Sequence, residues 1–225
     1  MSFSPLTQET SPLRIKPFVH PPEKLIKIKL TTQEVALVAD ARTIKHHLDK
    51  LASDIDPYSF DNIFYNLEGG EFLKNELCKR WKRHFRPLPP CYPVEYHTIL
   101  APNKRTLEIA KPIPISFFNI KNTNSLLLDD LYDTGATLKA IQLESKKLNI
   151  NLTTAVLVSK NAAKVIPEPQ LSYVGFEIPD LWIGGCGTNL SREDLDHEFD
   201  RNSPLLVMPL DIATEFYHSS RYPIN

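Results

Sequence analysis

The run LLLDDLYDTGAT at positions 126–137 has the residue types and spacing best suited to chemistry in this chain. An apolar strand ends at two acids, Asp129 and Asp130, whose carboxylates accept hydrogen bonds and suit the vicinal hydroxyls of a sugar. The next turn opens a helix, whose first amides are unpaired donors with partial positive charge and suit a phosphate. The run therefore predicts adjacent sites for a ribose and for a phosphate, the latter bound by Asp133, Thr134, Gly135, Ala136 and Thr137.

A plainer interpretation of this turn is that Asp133 and Thr134 only cap the helix. For an isolated Asp-Thr-Gly triplet the two interpretations have roughly equal weight, but the complete run favours the binding site. A Walker phosphate loop would end in Gly-Lys-Ser/Thr and a Rossmann site would contain Gly-x-Gly-x-x-Gly. Neither pattern occurs in the chain.

Strands and helices alternate along the chain, which predicts an α/β fold with a mostly parallel sheet. Ligands of such a sheet bind beyond the carboxyl ends of its strands. A capping box at Thr31–Glu34 precedes the first predicted helix. The segment 101–124 has weak periodicity and is predicted to be a long mobile excursion. The predicted strands are 62–67, 125–130 and 153–159, and the predicted helices are 32–52, 71–85 and 136–148.

The composition excludes several classes of protein. The chain has 225 residues, with 26 basic and 27 acidic side chains and a formal net charge of -1. The protein as a whole therefore has no positive electrostatic potential that would attract nucleic acid or an anionic membrane. No apolar run has the length of a signal sequence or a membrane span. Three cysteines at spacings that fit no zinc pattern indicate a reducing cytoplasm. We expect a Pro-rich arm over 1–27 and one domain over 28–225.

The run at 126–137 resembles the signature that binds phosphoribosyl pyrophosphate (PRPP) in type I phosphoribosyltransferases. Two further segments resemble the hypoxanthine-guanine branch of that family: Leu67-Glu68-Gly69-Gly70, and Phe176-Glu177-Ile178-Pro179-Asp180-Leu181-Trp182. The resemblance implies the fold of that family, a mostly parallel twisted sheet flanked by helices, with a small hood from N- and C-terminal segments. It also implies a purine-salvage enzyme that transfers 5-phosphoribosyl from PRPP to N9 of hypoxanthine or guanine, with xanthine as a further candidate, and releases pyrophosphate.

The resemblance also implies roles for individual residues around the base. Asp133 would accept the proton of the purine N7, and Lys160 would donate to the 6-oxo group, so that these two are the candidate catalytic residues. Trp182 would stack on the base, and the backbone carbonyl of Ile183 would contact its far edge.

The same resemblance implies a pyrophosphate site and a magnesium site. A non-proline cis peptide would join Leu67 to Glu68. Mg²⁺ would lie near Asp129 and Asp130, with Asn189 as a weak third partner. The residues predicted to bind pyrophosphate are Leu67, Glu68, Gly69, Gly70 and Arg201, with Arg192 as the alternative arginine.

Three departures from the family pattern lead to a second hypothesis. Glu68 stands where relatives commonly have a basic residue, Asn189 replaces an acid, and the segment 100–102 lacks a Ser-Tyr pair. These changes are typical of a catalytically weakened or inactive protein that still binds PRPP or a nucleotide.

A third hypothesis concerns the basic run CKRWKRHFR at 78–86, which suggests a regulator that binds nucleic acid. The alternative, an amphipathic helix with a solvated basic face, is favoured because Phe72, Leu73, Leu77, Trp81 and Phe85 form an apolar stripe. Relatives in the family are commonly homodimers or homotetramers, and we expect a homo-oligomer here.

Overall fold

Ten strands and four α-helices form the part of the chain that the computed structural model describes, namely residues 13–14, 26–30, 34–67, 69–82, 86–101, 104–111, 122–160, 171–188 and 200–219. The strands are β1 (Leu13–Arg14), β2 (Lys27–Lys29), β3 (Glu34–Ala39), β4 (Asn62–Asn66), β5 (Cys91–Ala101), β6 (Lys104–Lys111), β7 (Asn124–Tyr132), β8 (Asn151–Lys160), β9 (Tyr173–Ile178) and β10 (Leu206–Pro209). The helices are α1 (Ala41–Asp54), α2 (Gly70–Trp81), α3 (Ala136–Lys147) and α4 (Leu210–Ser219), and a 3-10 helix spans Pro57–Ser59.

The larger sheet has the strand order β1-β9-β8-β7-β4-β5-β6. Neighbouring strands from β1 to β5 are parallel, whereas β6 is antiparallel to β5. The central strands are buried apolar runs because helices cover both faces of the sheet. Leu126 and Leu128 pack in one cluster with residues of α1 and α2, and Leu127 packs in another with residues of α3. The predicted α/β fold with a mostly parallel sheet is thus confirmed.

The smaller sheet is antiparallel, with the order β10-β3-β2. It joins an early segment of the chain to a late one, since Val35 pairs with Pro209 and Leu37 with Val207. Side chains alternate along β3, so that Val35 packs against Val207 while Ala36 and Val38 join the main core. This sheet confirms the predicted hood of N- and C-terminal segments.

The helix predicted over 32–52 is wrong in its first third. Residues Glu34–Ala39 form strand β3, and α1 begins only after Asp40, whose carboxylate accepts a hydrogen bond of 2.7 Å from the backbone N–H of Thr43. The apolar run fits either structure, but pairing with β2 and β10 selects the strand. Within the predicted capping box, Thr31 and Thr32 lie outside the described residues, and Glu34 is the first residue of a strand.

The excursion predicted over 101–124 is also partly wrong. Residues Lys104–Lys111 form β6, which pairs with β5 from Ala101↔Lys104 to Glu95↔Lys111. Strand β6 is stabilised by its pairing with β5. The weak periodicity of residues 104–111 themselves therefore gave no sign of a strand. Residues 102–103 and 112–121 lie outside the described residues.

Helix α2 contains the first part of the basic run at 78–86. It packs as an amphipathic helix, which is the alternative to nucleic-acid binding. Phe72, Leu73, Leu77 and Trp81 are buried on one face of α2. Arg80 lies on the same side of α2, between this helix and α1, where it bonds to Asp49 at 2.8 Å and to Glu76 at 2.8 Å, so its charge is already neutralised. The amphipathic interpretation is therefore confirmed up to Trp81; Phe85 lies outside the described residues.

The N-terminal arm contributes a short edge strand. Leu13 pairs with Phe176 and Arg14 with Glu177, in parallel register with β9. The boundary between 27 and 28 stays a prediction, as does the single domain after it. None of the described helices has the length and apolar character needed to cross a membrane.

The revised start of α1 predicts the effect of Asp40→Ala. Because the Thr43 hydrogen bond lowers the pKa of Asp40 in the folded protein, this cap should stabilise α1 at neutral pH and weaken only as the pH falls below about 4, the ordinary value for an aspartate. We expect the free energy of unfolding at pH 7 to fall by about 1 kcal/mol, as measured by urea denaturation, with Asp40→Asn close to wild type. A helix that began at residue 32 would instead be stabilised by alanine at this position.

Candidate active site

A pocket that is partly open to solvent lies at the carboxyl end of β7. Gly135 precedes α3 with a φ of 80°, and the Ala136 N–H lies 3.4 Å from the Thr134 hydroxyl oxygen. Strand, turn and helix thus follow each other as the sequence predicted. The lining residues include all those predicted to bind phosphate: Asp129, Leu131, Tyr132, Asp133, Thr134, Gly135, Ala136, Thr137 and Leu138.

The two adjacent acids at the end of β7 are both buried, with Asp129 3% and Asp130 8% exposed. The Asp129 carboxylate accepts hydrogen bonds of 3.1 Å from the Asn66 amide and from the Asp130 backbone N–H. Burial, and then the neighbouring Asp130 charge, raise the pKa of Asp129 well above its usual range. The site therefore holds two carboxylates whose joint ionisation is unfavourable in the absence of a bound cation.

Asp130 is fixed by a hydroxyl from a distant segment. Thr188 lies just after a short turn at 184–187, and its hydroxyl donates to Asp130 Oδ2 at 2.6 Å. The carboxylate is therefore oriented by Thr188 on one side, while its other oxygen faces the turn that precedes α2.

That turn contains the predicted pyrophosphate residues Gly69 and Gly70. A Cβ atom at Gly69 would lie 2.0 Å from Asp130 Oδ1, so only glycine fits here without displacing the carboxylate. Leu67 is half-buried, and its N–H donates to the Val94 carbonyl at 2.9 Å. Glu68, and with it the predicted cis peptide, lies outside the described residues.

The 184–188 segment touches the same turn through Gly187. This residue has a φ of 106°, and a Cβ atom on it would lie 2.3 Å from the Gly69 carbonyl oxygen. Arg201, predicted to contact pyrophosphate, donates from Nε to the Gly187 carbonyl at 3.0 Å, while the Gly187 N–H donates to the Arg201 carbonyl at 2.7 Å. Arg201 is therefore next to the turn at Gly69 and Gly70, by way of Gly187. Asn189 and Arg192 lie outside the described residues.

The residues predicted to contact the base lie at the ends of β8 and β9 and in the turn after β7. Lys160 is buried, and its Nζ atom lies 3.2 Å from Asp133 Oδ1 and 3.6 Å from Asp180 Oδ1. The structure thus brings the two candidate catalytic residues into an ion pair. Ile183 is buried, whereas the Trp182 side chain is 53% exposed.

Several residues of the site were missed by the sequence analysis. Asn66 directly precedes the Leu67–Gly70 motif, and Asp180 lies within the motif that ends at Trp182, but neither was given a role. Thr188 and Gly187 have no local signal, because their partners Asp130 and Gly69 are distant in the chain.

The side chains at this site suit Mg²⁺ only if a substrate supplies further oxygen ligands. Among the residues that the structure describes, no group of three or more His, Cys, Asp or Glu side chains is arranged to hold a metal. The pair Asp129 and Asp130 offers hard carboxylate oxygens, and Mg²⁺ is often held by one or two such groups together with substrate phosphates and water. The donor set therefore suits a cation that arrives with an anionic ligand.

Fold and site together define a class of protein. A mostly parallel sheet with an antiparallel hood, two acids at the end of a central strand and a helix that starts directly after Gly135 are the features of a type I phosphoribosyltransferase. Comparison with known proteins narrows the class. No family model matches the chain. The hypoxanthine-guanine phosphoribosyltransferase of Aquifex aeolicus is 33% identical over 190 residues, which cover 80% of this chain and 97% of the relative.

Other relatives agree with this result. The hypoxanthine-guanine phosphoribosyltransferase of Staphylococcus epidermidis is 37% identical over 92 residues, or 39% of this chain and 46% of that protein. A crystal structure of a hypoxanthine phosphoribosyltransferase from Staphylococcus aureus superposes with a TM-score of 0.62 at 21% identity, over 83% of this chain and 92% of that one. A hypoxanthine-guanine phosphoribosyltransferase from Bacillus anthracis gives 0.61 at 19% identity, over 81% and 99%.

The chain belongs to the hypoxanthine-guanine phosphoribosyltransferase family. The identity and coverage of the Aquifex relative show the family, and the solved structures show the same fold. The resemblance described from the sequence, and the prediction of a phosphoribosyltransferase enzyme, are confirmed.

The raised pKa of Asp129 predicts that the ligand-free protein becomes less stable as the pH rises. The proton binds more tightly to Asp129 in the folded than in the unfolded state, so stability is highest below about 4 for this group and falls as the pH rises through its folded pKa. Asp129→Asn keeps an oxygen acceptor for Asn66 and removes the charge. We expect urea denaturation between pH 5 and 8 to show this variant gaining stability over wild type as the pH rises.

The matched control is Glu215→Gln, which removes an exposed carboxylate on α4. Its difference from wild type should not change with pH in the same way. An Asp129→Asn protein that is less stable than wild type at pH 8 would show that the two charges are already compensated.

Proposed function

We propose that this protein transfers the 5-phosphoribosyl group of PRPP to N9 of hypoxanthine or guanine and releases pyrophosphate. The observation that carries the proposal is the pairing of Lys160 with Asp133 beside the buried acids of β7. The printed names of the relatives, hypoxanthine-guanine phosphoribosyltransferases, support the same substrates.

The Lys160–Asp133 pair matches one edge of a 6-oxopurine. On this edge the 6-oxo group accepts a hydrogen bond and the adjacent N7 carries a proton in the tautomer that reacts at N9. A lysine donor and a carboxylate acceptor 3.2 Å apart can contact both groups at once. As the bond to N9 forms, Asp133 takes the N7 proton, because the base becomes more acidic when it bonds to the sugar.

The other site residues bind and orient the two substrates. The amides of Gly135, Ala136 and Thr137 and the Thr134 hydroxyl would bind the 5-phosphate at the N-terminus of α3. Asp129 and Asp130 would accept hydrogen bonds from the ribose hydroxyls. The backbone of the Leu67–Gly70 turn, with Arg201 beside it, would hold the pyrophosphate.

The base itself would lie against Trp182, whose ring is exposed and would be covered by a stacked purine. The Ile183 carbonyl would contact the opposite edge, near C2, where hypoxanthine, guanine and xanthine differ. Since all three bases share the 6-oxo and N7 edge, the Lys160–Asp133 pair selects 6-oxopurines as a class and leaves xanthine as a candidate substrate.

Magnesium is part of the proposal, with Asp129 and Asp130 as its protein partners and Asn189 as a weaker one. When bound, it neutralises charge on the pyrophosphate that leaves. The protein residues hold PRPP and the base in line for displacement at the anomeric carbon, which accelerates the reaction through proximity.

We also propose a cytoplasmic location and assembly as a homodimer or homotetramer. The cysteines are free thiols, as is usual for proteins of a reducing compartment. Size-exclusion chromatography with light scattering would measure the assembly state.

The principal test is the formation of IMP, GMP and XMP from PRPP, Mg²⁺ and each base by purified protein. Asp133→Asn should lower kcat about 100-fold or more, because it removes the proton acceptor. Lys160→Ala should raise KM for the base about tenfold, because it removes the donor to the 6-oxo group. Lys147→Ala, which removes an exposed lysine paired with Glu144 at the far end of α3, is the matched control and should keep wild-type kinetics.

The same assay separates the enzyme from the alternative hypothesis of a binding protein. If wild type binds PRPP or a nucleotide but forms no product, the protein is a non-catalytic binder, and its departures at Glu68 and Asn189 become the first positions to revert. A protein that neither binds nor reacts would overturn both.

The hydrogen bond from Thr188 to Asp130 predicts a second kinetic effect. Thr188→Val keeps the shape of the side chain but leaves Asp130 without its donor, so the carboxylate loses its orientation toward the ribose. We expect kcat/KM for PRPP to fall about tenfold, with little change in KM for the base, and Thr188→Ser to restore most of it. A loss that is equal for both substrates would argue for general unfolding of the 184–188 turn.

A further inference from the structure

Lys160 is a buried cation with two carboxylate partners. Its side chain is 9% exposed, and its Nζ atom lies 3.2 Å from Asp133 Oδ1 and 3.6 Å from Asp180 Oδ1. Both carboxylates are much more accessible to solvent than the lysine between them. One carboxylate balances the charge of one ammonium group. The second, Asp180, is therefore not needed to neutralise Lys160 as long as Asp133 keeps its charge.

The three side chains meet because their strands are parallel neighbours. Lys160 is the last residue of β8, which lies between β7 and β9 in the sheet. Tyr132 of β7 pairs with the residue before Lys160, and Ile178 of β9 pairs with Lys160 itself. The chain that leaves β7 reaches Asp133 at once, and the chain that leaves β9 reaches Asp180 two residues later. The lysine is therefore flanked by one carboxylate from each neighbouring strand end.

Asp180 is anchored by the residues on either side of it. Pro179 follows β9 directly, and its ring restricts the backbone at the point where the strand ends. Leu181 is buried and packs in the main hydrophobic cluster. Asp180 itself is exposed, as is Trp182, the residue proposed to stack on the base. The carboxylate thus lies at the solvent-facing rim of the proposed base site.

We propose that Asp180 is a positioning residue for the transfer reaction, which keeps the Lys160 ammonium group paired and in place when Asp133 accepts a proton and loses its charge. The inference rests on the proposed function, because the proton that neutralises Asp133 comes from N7 of the bound purine. Asp180 acts through Lys160 and needs no contact with either substrate.

The need for a second carboxylate follows from the proton transfer. As N9 forms its bond to the anomeric carbon and the bond to pyrophosphate breaks, the N7 proton moves to a carboxylate oxygen of Asp133, and the N–H electron pair stays on the ring. A protonated Asp133 can still accept a hydrogen bond, but it no longer balances a positive charge. A buried ammonium group without a counterion is strongly unfavourable, so the step would be slowed unless another anion lay nearby.

The distance to Asp180 suits this role. At 3.6 Å the Lys160 Nζ atom forms an ion pair with Asp180 but is too far away for a hydrogen bond. A movement of about half an ångström would bring it within hydrogen-bonding distance. The lysine can therefore change its principal partner from Asp133 to Asp180 while its ammonium group stays close to the 6-oxo group of the base.

The kinetic test is Asp180→Asn, which keeps the shape of the side chain and removes its charge. We expect kcat for nucleotide formation to fall about tenfold, with KM for the base within about twofold of wild type, because Asp133 still balances Lys160 until the proton moves. Asp180→Glu restores the charge and should regain most of the loss. A wild-type kcat, or a raised KM with kcat unchanged, would overturn the proposal.

The matched control is Asp49→Asn. Asp49 and Glu76 are the two carboxylates beside Arg80, whose side chain is 14% exposed, and the three lie between α1 and α2. The substitution again removes one of two partners from a largely buried cation, but at a place with no proposed part in catalysis. It should leave kcat and KM unchanged. An equal fall of kcat in both variants would mean that Asp180 acts only through stability.

A second measurement needs no substrate and compares the unfolding of four proteins in urea. Asp133→Asn imitates the neutralised acid, so each single variant leaves Lys160 one counterion and the double variant with Asp180→Asn leaves none. We expect the double variant to raise the unfolding equilibrium constant about tenfold beyond the product of the two single effects. The excess should disappear when Lys160→Met removes the cation. Effects that simply multiply would contradict the shared role of the two carboxylates.

The two measurements also separate this inference from the proposed function. If the double variant does not fold, recovery of folding by Lys160→Met gives the expected result, and failure to recover overturns it. An active wild type whose single effects multiply would remove the role of Asp180 alone. An inactive wild type would overturn the proposed transfer and the positioning role with it, whether or not the two carboxylates are coupled.

Discussion

Burial of two adjacent carboxylates at the end of β7 is the constraint on which the rest of the site depends. Asp129 and Asp130 are almost completely buried. The pKa of Asp129 is raised by that burial and by the charge of Asp130. Such a pair is unfavourable in an empty fold and favourable when a cation or hydroxyl donors occupy the pocket. Burial of these charges therefore lowers the stability of the central strand, and a polar ligand at the proposed site would restore it.

The carboxylates keep their geometry because groups from two other parts of the chain, the end of β4 with the turn after it and the turn at 184–188, close around them. The Asn66 amide fixes Asp129, the Thr188 hydroxyl fixes Asp130, and the glycine turn before α2 approaches both. Glycine at 69 and 187 lets the segments pack within a distance that any Cβ atom would prevent. The residues proposed to bind ribose and pyrophosphate therefore form one packed unit.

The position of the residues proposed to bind the purine base follows from the order of the strands. β7 and β8 are parallel neighbours, with Tyr132 opposite Ser159, so the residues that follow them emerge side by side. This places Asp133 within reach of Lys160, although Lys160 is buried and Asp133 is exposed.

The sequence alone determined the features that local chemistry controls: the strand, glycine turn and helix of 125–147, and the buried face of α2. Only the tertiary structure decided that 34–39 is a strand rather than helix, that 104–111 pairs with β5, and that Thr188 contacts Asp130. The reason is physical. Periodicity and capping act over a few residues, whereas strand pairing, burial and the resulting pKa shifts depend on groups that only folding brings together.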